Sequence, residues 1–319
     1  MTIIMGASKL SISLVIVTYA REERLLAQLA TLIADQQIFN EIIVVDNGGS
    51  GRLAAEATAL FGSRINVIRP AKNLGAVGRT LGMLASRGDI VVTIDDDVRL
   101  TDPRELLQLK NIFAAEPDIA CCNFKIYYED KTLDLSDWCH PRDPLLYANH
   151  FFDTTYISEG ACAFRGDLVR RLGAYPLDLF IGQEGVELAA RIIDAGFSIC
   201  YFPSVRVEHA VAHEGRKSGR QFYYNARNIY WIALRCYPLT LLITTIAREW
   251  TSLSIFALRH FRLRSLLQGF ADALRQTRTL MRQRHPISRS SAQRIRQLNK
   301  LKPSVIARLR RVLKSKTLK

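Results

Sequence analysis

The chain is predicted to fold as an α/β protein with a parallel sheet covered by helices on both faces. Three observations predict it. Short β-branched apolar runs recur through the first hundred residues, and segments with helical spacing separate them. The runs are apolar throughout, the mark of strands buried on both faces. Three of the four end in polar residues, Thr18-Tyr19, Asp46 and Asp95, at the sheet edge where such folds bind ligands.

Ser13 to Thr18 is the first strand. Residues 22–35 place Leu25, Leu26, Leu29, Leu32 and Ile33 at helical spacing. Glu41 to Asp46 is the second strand, closed by the turn-forming run Asn47-Gly48-Gly49-Ser50-Gly51. A helix follows to about Phe61, then a strand at 65–69, a glycine-punctuated helix at 75–86 and a fourth strand at 89–94. Residues 105–205 are less regular. They hold a strand-like 119–128, a turn-rich loop at 129–150, a strand near 156–164, a helix at 184–195 ended by Gly196, and a strand at 198–202. Beyond residue 220 the pattern is helical to the end. The expected division is a sheet-bearing domain at 1–235 and a basic helical region at 236–319.

Charge divides the chain in the same way. Of 319 residues, 48% are apolar and 23% charged, which excludes a disordered chain and a polytopic membrane protein. Residues 1–205 carry 19 basic and 26 acidic side chains, whereas residues 206–319 carry 25 and 4. A tail with that excess seeks phosphate in nucleic acid, lipid headgroups or a phosphorylated substrate. The six cysteines include no C-x-x-C pair, which points to a reduced cytosolic setting. Met1 to Leu14 has no basic flank and no long apolar core, so no signal peptide is expected.

The sharpest chemical signal is Asp95-Asp96-Asp97 directly after an apolar strand. Three adjacent carboxylates repel one another unless they are solvated or neutralised. A hard divalent cation with oxygen ligands neutralises them, and a diphosphate completes its shell. The triplet lies 49 residues after Asp46, another strand-end aspartate on the ligand edge of the same sheet.

With these residues in place the chain resembles a known family. Ile12 to Arg21 (ISLVIVTYAR), Glu41 to Ser50 (EIIVVDNGGS), Asn73 to Gly82 (NLGAVGRTLG) and Ile90 to Asp97 (IVVTIDDD) resemble, in order and spacing, the nucleotide-binding half of family-2 glycosyltransferases. The likeness continues through 160–173, 182–196 (GQEGVELAARIIDAG) and 203–209, so it covers roughly residues 10–235. It implies a GT-A type, Rossmann-like nucleotide-binding sheet, followed here by the basic helical extension. It also implies a nucleotide-diphosphate sugar donor, a Mn²⁺ or Mg²⁺ ion and inversion at the anomeric carbon.

Carried over by position, the resemblance puts Thr18 and Tyr19 at the nucleoside pocket and Asp46 on the pyrimidine or its ribose. Arg79 falls near the base or diphosphate. Asp95 and Asp96 face the ribose and donor sugar, Asp97 holds the metal, and His209 is a further metal ligand, with His213 as the alternative. Imidazole beside carboxylate suits Mn²⁺. Inverting transfer also needs a base for the acceptor hydroxyl. The family takes it from a Glu-Asp pair opening a helix, but here that block reads Glu184-Gly185-Val186-Glu187-Leu188. Glu184 is the first candidate and Glu187 the second, with Asp153 and Glu159 in reserve.

In the tail, Arg248 and Glu249 separate the apolar stretches 239–247 and 253–258, so no spanning helix is expected. Helices at 255–284 and 292–313, with stripes such as Ile295, Leu298, Ile306, Leu309 and Leu313, suit an anionic membrane surface. They also suit packing on the main domain or a helical oligomer contact. The expected partners are therefore a nucleotide sugar, a glycan or lipid-linked acceptor and the inner face of the cytoplasmic membrane. Two rivals are an inactive transferase-like scaffold, prompted by Gly185, and a nucleic-acid-binding protein. The second has no aromatic stacking platform and leaves the acidic strand ends without a purpose.

Overall fold

In the computed structural model, residues 10–128, 132–133, 138–210 and 219–301 are described. β1 (Ile12–Thr18), α1 (Glu22–Thr31), β2 (Glu41–Asp46), α2 (Arg52–Phe61), β3 (Ile65–Ile68), α3 (Arg79–Ala85) and β4 (Ile90–Asp95) follow in the expected order. The four strands are parallel and lie as β3-β2-β1-β4. Alternate side chains of each strand point to opposite faces. Leu14, Ile16, Ile42, Val44, Ile90 and Val92 pack with Leu25, Leu29, Leu53 and Phe61 from α1 and α2. Val15, Ile43 and Val91 pack on the other face, where Met83 of α3 lies. The parallel strands bring Thr18, Asp46 and Asp95 to one edge.

The remaining strands extend this sheet. β5 (Val98–Leu100), α4 (Leu107–Ala115), β6 (Ile119–Tyr128), α5 (Pro144–Tyr147), β7 (Phe152–Asp153), β8 (Ala161–Arg165), α6 (Gly166–Leu172), α7 (Glu184–Asp194) and β9 (Ser198–His209) complete the sheet-bearing part. β8 runs antiparallel between β4 and β6, β9 lies parallel to β6, and β5 closes the order antiparallel to β9. The strand expected at 198–202 runs on through Pro203 to His209. A register shift in β6 between Asn123 and Lys125 accommodates it. The strand expected from 156 begins at Ala161 instead. Asn123 accounts for this, donating to Tyr156 O at 3.0 Å and accepting from Ser158 N at 2.6 Å in place of a ladder.

Five helices follow: α8 (Gly219–Cys236), α9 (Leu239–Arg259), α10 (Leu263–Arg275), α11 (Thr277–Arg282) and α12 (Arg289–Asn299). They do not form a separate body. Ile232, Ala233, Cys236, Leu241, Ile287, Ala292 and Ile295 share one core with Leu188 and Ile192 of α7. The expected boundary at 235/236 therefore passes through a shared core. α9 runs unbroken across Arg248 and Glu249, and the chain turns at Phe261, where φ is +55°. Among the described residues α9 is the one helix long and apolar enough to cross a membrane, with mean hydropathy 1.2 and 11% of that window buried. Of the alternatives the sequence left open for this stretch, α12 packs on the main domain, with Ala292 and Ile295 buried against α7. Ile306, Leu309 and Leu313 lie outside the described residues, as does His213.

Candidate active site

The acidic triplet sits at the end of β4, where Arg79, Thr18, Arg21 and His209 surround its carboxylates. Asp95 Oδ1 accepts from Arg79 Nη2 at 2.6 Å. Asp96 is buried, accepting from Thr18 Oγ1 at 2.7 Å and from Arg21 Nη1 at 2.9 Å. Burial raises its pKa, and the Thr18 and Arg21 contacts work against that rise. Asp97 Oδ2 lies 3.2 Å from the same Arg21 nitrogen, and its Oδ1 lies 3.6 Å from His209 Nε2 at the end of β9.

These groups open onto a cavity of about 800 Å³, walled by Arg21, Arg79, Asp95, Asp97, Glu159, Glu184 and His209 among others. Thr245, Arg248 and Glu249 of α9 line it too, and Asn299 closes it through a 2.8 Å bond from Thr155. Arg248 and Glu249 thus face this cavity, paired with each other at 2.5 Å.

Arg79 is only 4% exposed. Burial opposes its charge, yet Asp95, Glu184 and Glu159 hold its pKa above the ordinary arginine value. Its Nη1 is buried without a hydrogen-bond partner, and so is Glu184 Oε2. Unmet buried groups of this kind are costly unless a ligand completes them. An arginine nitrogen left open at a cavity wall fits an anionic or hydroxyl-rich ligand.

The structure divides the other sequence candidates. Glu184, at the first position of α7, is a cavity wall residue, and burial raises its pKa against the pull of Arg79. Glu187 is not a wall residue: its Oε2 accepts from Arg235 Nη2 at 2.6 Å, and Arg235 also binds Asp178 at 2.6 Å. That carboxylate fastens α7 to α8, so the second-choice base has a structural partner instead. Thr18 spends its hydroxyl on Asp96. Asp46 Oδ1 accepts from Gly49 N at 2.7 Å and holds the turn after β2. Tyr19 is 56% exposed beside that turn. Arg21 is not among the sequence candidates, and Glu159 stands in reserve.

Asp97 and His209 test the expected metal. A carboxylate oxygen and an imidazole nitrogen converge at 3.6 Å beside the cavity, a donor set that suits Mn²⁺ or Mg²⁺. Among the described residues no group of three or more His, Cys, Asp or Glu is placed to hold a metal. A cation there fits only with phosphate and water supplying most of its shell, as at many nucleotide sites.

The sequence profile of Glycosyl transferase family 2 matches residues 13–173. The chain belongs to glycosyl transferase family 2. The O-antigen chain rhamnosyltransferase WbaN of Salmonella anatum is 20% identical over 193 residues, 58% of this chain and 61% of that protein. The crystal structure of S. aureus TarS 1-349 superposes with TM-score 0.55 at 14% identity, covering 91% of this chain and 90% of that one. GalNAc-T7, crystallised with UDP, GalNAc and Mn²⁺, gives TM-score 0.53 at 18% identity over 65% of this chain and 44% of that one. The chain thus spans less than two thirds of both WbaN and the GalNAc-T7 chain. These likenesses establish the GT-A fold for the family-2 chain.

Proposed function

We propose that this family-2 chain moves a sugar from a nucleotide-diphosphate donor to a hydroxyl of a glycan or lipid-linked acceptor, inverting the anomeric carbon. One observation carries the reading: a buried arginine with an unpaired nitrogen, Asp95 and Asp97 share a cavity with Glu159 and Glu184. One set suits the donor and the other a proton. The donor is a UDP- or dTDP-hexose or deoxyhexose, and the pathway builds a surface polysaccharide or lipopolysaccharide. The rhamnosyltransferase relative supports the pathway, and the neighbour holding UDP and Mn²⁺ supports the donor class.

In this reading Tyr19 and Asp46 border the nucleoside, while Thr18 holds Asp96 for the ribose. Arg79 Nη1 binds the diphosphate or donor sugar and keeps Asp95 oriented. Asp97 and His209 hold the divalent cation, which when bound neutralises charge on the departing diphosphate. A glutamate at the cavity wall, Glu184 or Glu159, takes the acceptor proton.

The chain also works on the inner face of the cytoplasmic membrane, as a peripheral protein. Leu258, Phe261, Leu263 and Leu267 are exposed at the α9–α10 turn among Arg259, Arg262 and Arg264, and Phe261 is 92% exposed. An apolar tip ringed by arginines suits anionic lipid.

A thermal-shift screen of nucleotide sugars with and without Mn²⁺ tests the donor and metal together. We expect stabilisation by at least one UDP or dTDP sugar that chelator abolishes. No shift with any nucleotide sugar, together with no sugar transfer, overturns the reading.

A further inference from the structure

Gly185 stands where the family resemblance expects an aspartate, and the structure contains a carboxylate in that place from another segment. Glu159 lies in the loop before β8. Its Oε1 accepts a hydrogen bond from the Gly185 backbone N–H at 2.8 Å. A Cβ added at residue 185 would fall on that same oxygen. A side chain at 185 would therefore push the Glu159 carboxylate out of this position. The glycine is the room that Glu159 needs.

The loop is fixed on both sides of this residue. Thr93 Oγ1 donates to Glu159 O at 2.8 Å, and Asp95 N donates to Gly160 O at 3.3 Å. Gly160 in turn leaves space for the Asp95 carboxylate, onto which a Cβ there would fall. Glu159 is thus tied to the strand that carries the three aspartates. It lines the cavity and is less buried than Glu184, which is 4% exposed.

We propose that Glu159 is the general base of the transfer, supplied from the β8 side where helix α7 has only Gly185. The assignment rests on the transferase reading above. The acceptor O–H bond breaks and its proton passes to the Glu159 carboxylate. The acceptor oxygen forms a bond to the anomeric carbon as the bond from that carbon to the diphosphate oxygen breaks. The nucleotide diphosphate leaves with that electron pair.

The electrostatics suit the role. Burial first and the Glu184 charge second push the Glu159 pKa up to about 8, while Arg79 pulls it down. The other ionisable groups around it are Asp95 at the end of β4 and the buried Tyr175 phenol. A base is most effective with a pKa near the working pH.

The test uses the full chain, with Mn²⁺ and a panel of UDP-, dTDP- and GDP-sugars. Released nucleoside diphosphate is measured with water as acceptor, and UDP affinity by calorimetry. Glu159→Gln should slow release by about 10²–10⁴-fold, the usual cost of losing a base, with UDP affinity held within about threefold. It should also remove the rise in rate toward pH 8. The double variant Glu159→Ala/Gly185→Asp returns a carboxylate from the helix side and should run at least about tenfold faster than Glu159→Ala alone. A Glu159→Gln rate within tenfold of native overturns the proposal, as does a slow rate explained by lost UDP affinity. If Glu159→Gln does not fold, a folded double variant no faster than Glu159→Ala overturns it. A native chain that binds UDP sugars and releases nothing overturns it too. A native chain that binds no nucleotide at all removes the transferase reading first.

Discussion

Asp95, Asp96 and Asp97 are neighbours in sequence with three separate duties in space. Asp95 is matched by Arg79, Asp96 is drawn inward by Thr18 and Arg21, and Asp97 lies at the cavity between Arg21 and His209. Asp97→Ala should therefore abolish metal-dependent transfer while leaving the melting temperature nearly unchanged, and chelator should do the same to the native chain reversibly. Full turnover in excess chelator would refute the metal role. The buried glutamates make a second prediction. Glu159 has a folded pKa of about 8, above its ordinary value of 4.5. The folded state then binds the proton more tightly than the unfolded one, so its contribution to stability is complete below about pH 4.5 and lost as pH rises through 8. Glu159→Gln should melt higher than native at pH 9, and the difference should vanish at pH 4.5. The triplet was legible from its place after an apolar run. Arg21 and Glu159 were not, because their partners are 75 and 26 residues away and only folding brings them together.

At the scale of elements, the α7 N-terminus is held by α8. Asn228, fully buried, donates to Leu179 O, Ile181 O and Gly182 O at 3.0, 3.1 and 2.7 Å, fixing the loop that enters α7. Phe180 and Gln183 in that loop have φ of +65° and +68°, a conformation that costs about 1–3 kcal/mol per residue and needs such support. One turn further, Arg235 bridges Glu187 and Asp178. Arg235→Ala leaves Glu187 buried without its cation and should destabilise the fold by about 3–5 kcal/mol in chemical denaturation. Retention of native stability would show that the bridge is not needed. The acidic spacing in α7 was plain from sequence, but whether each acid faces a ligand or a partner depended on α8, 48 residues onward. The alternating β and α elements through β4 were legible because β1, β2 and β4 are apolar on both faces. Short β5 and β7 were not, since two or three residues give no period to read.

For the whole molecule, helices α8, α9 and α12 share a core with the sheet-bearing part. The proposed lipid contact accordingly falls at the α9–α10 turn, within the expected 255–284 stretch, and not on α12, which is committed to the core. Leu258→Ser/Phe261→Ser/Leu267→Ser should lose most co-sedimentation with anionic vesicles, and the native chain should lose it with added salt. Equal sedimentation of both would exclude this turn as the contact. The shared core bears also on how the protein is made. Synthesis runs from the N-terminus, and the segment that matches the family ends at residue 173, well before α8 begins at Gly219. While the ribosome adds the intervening residues, the apolar side of α7, with Leu188, Ile192 and Ile193, has no α8 or α12 to cover it. That interval is when a nascent chain would draw a holdase chaperone. A fragment stopped at residue 205 should accumulate as inclusion bodies where the full chain stays in the supernatant.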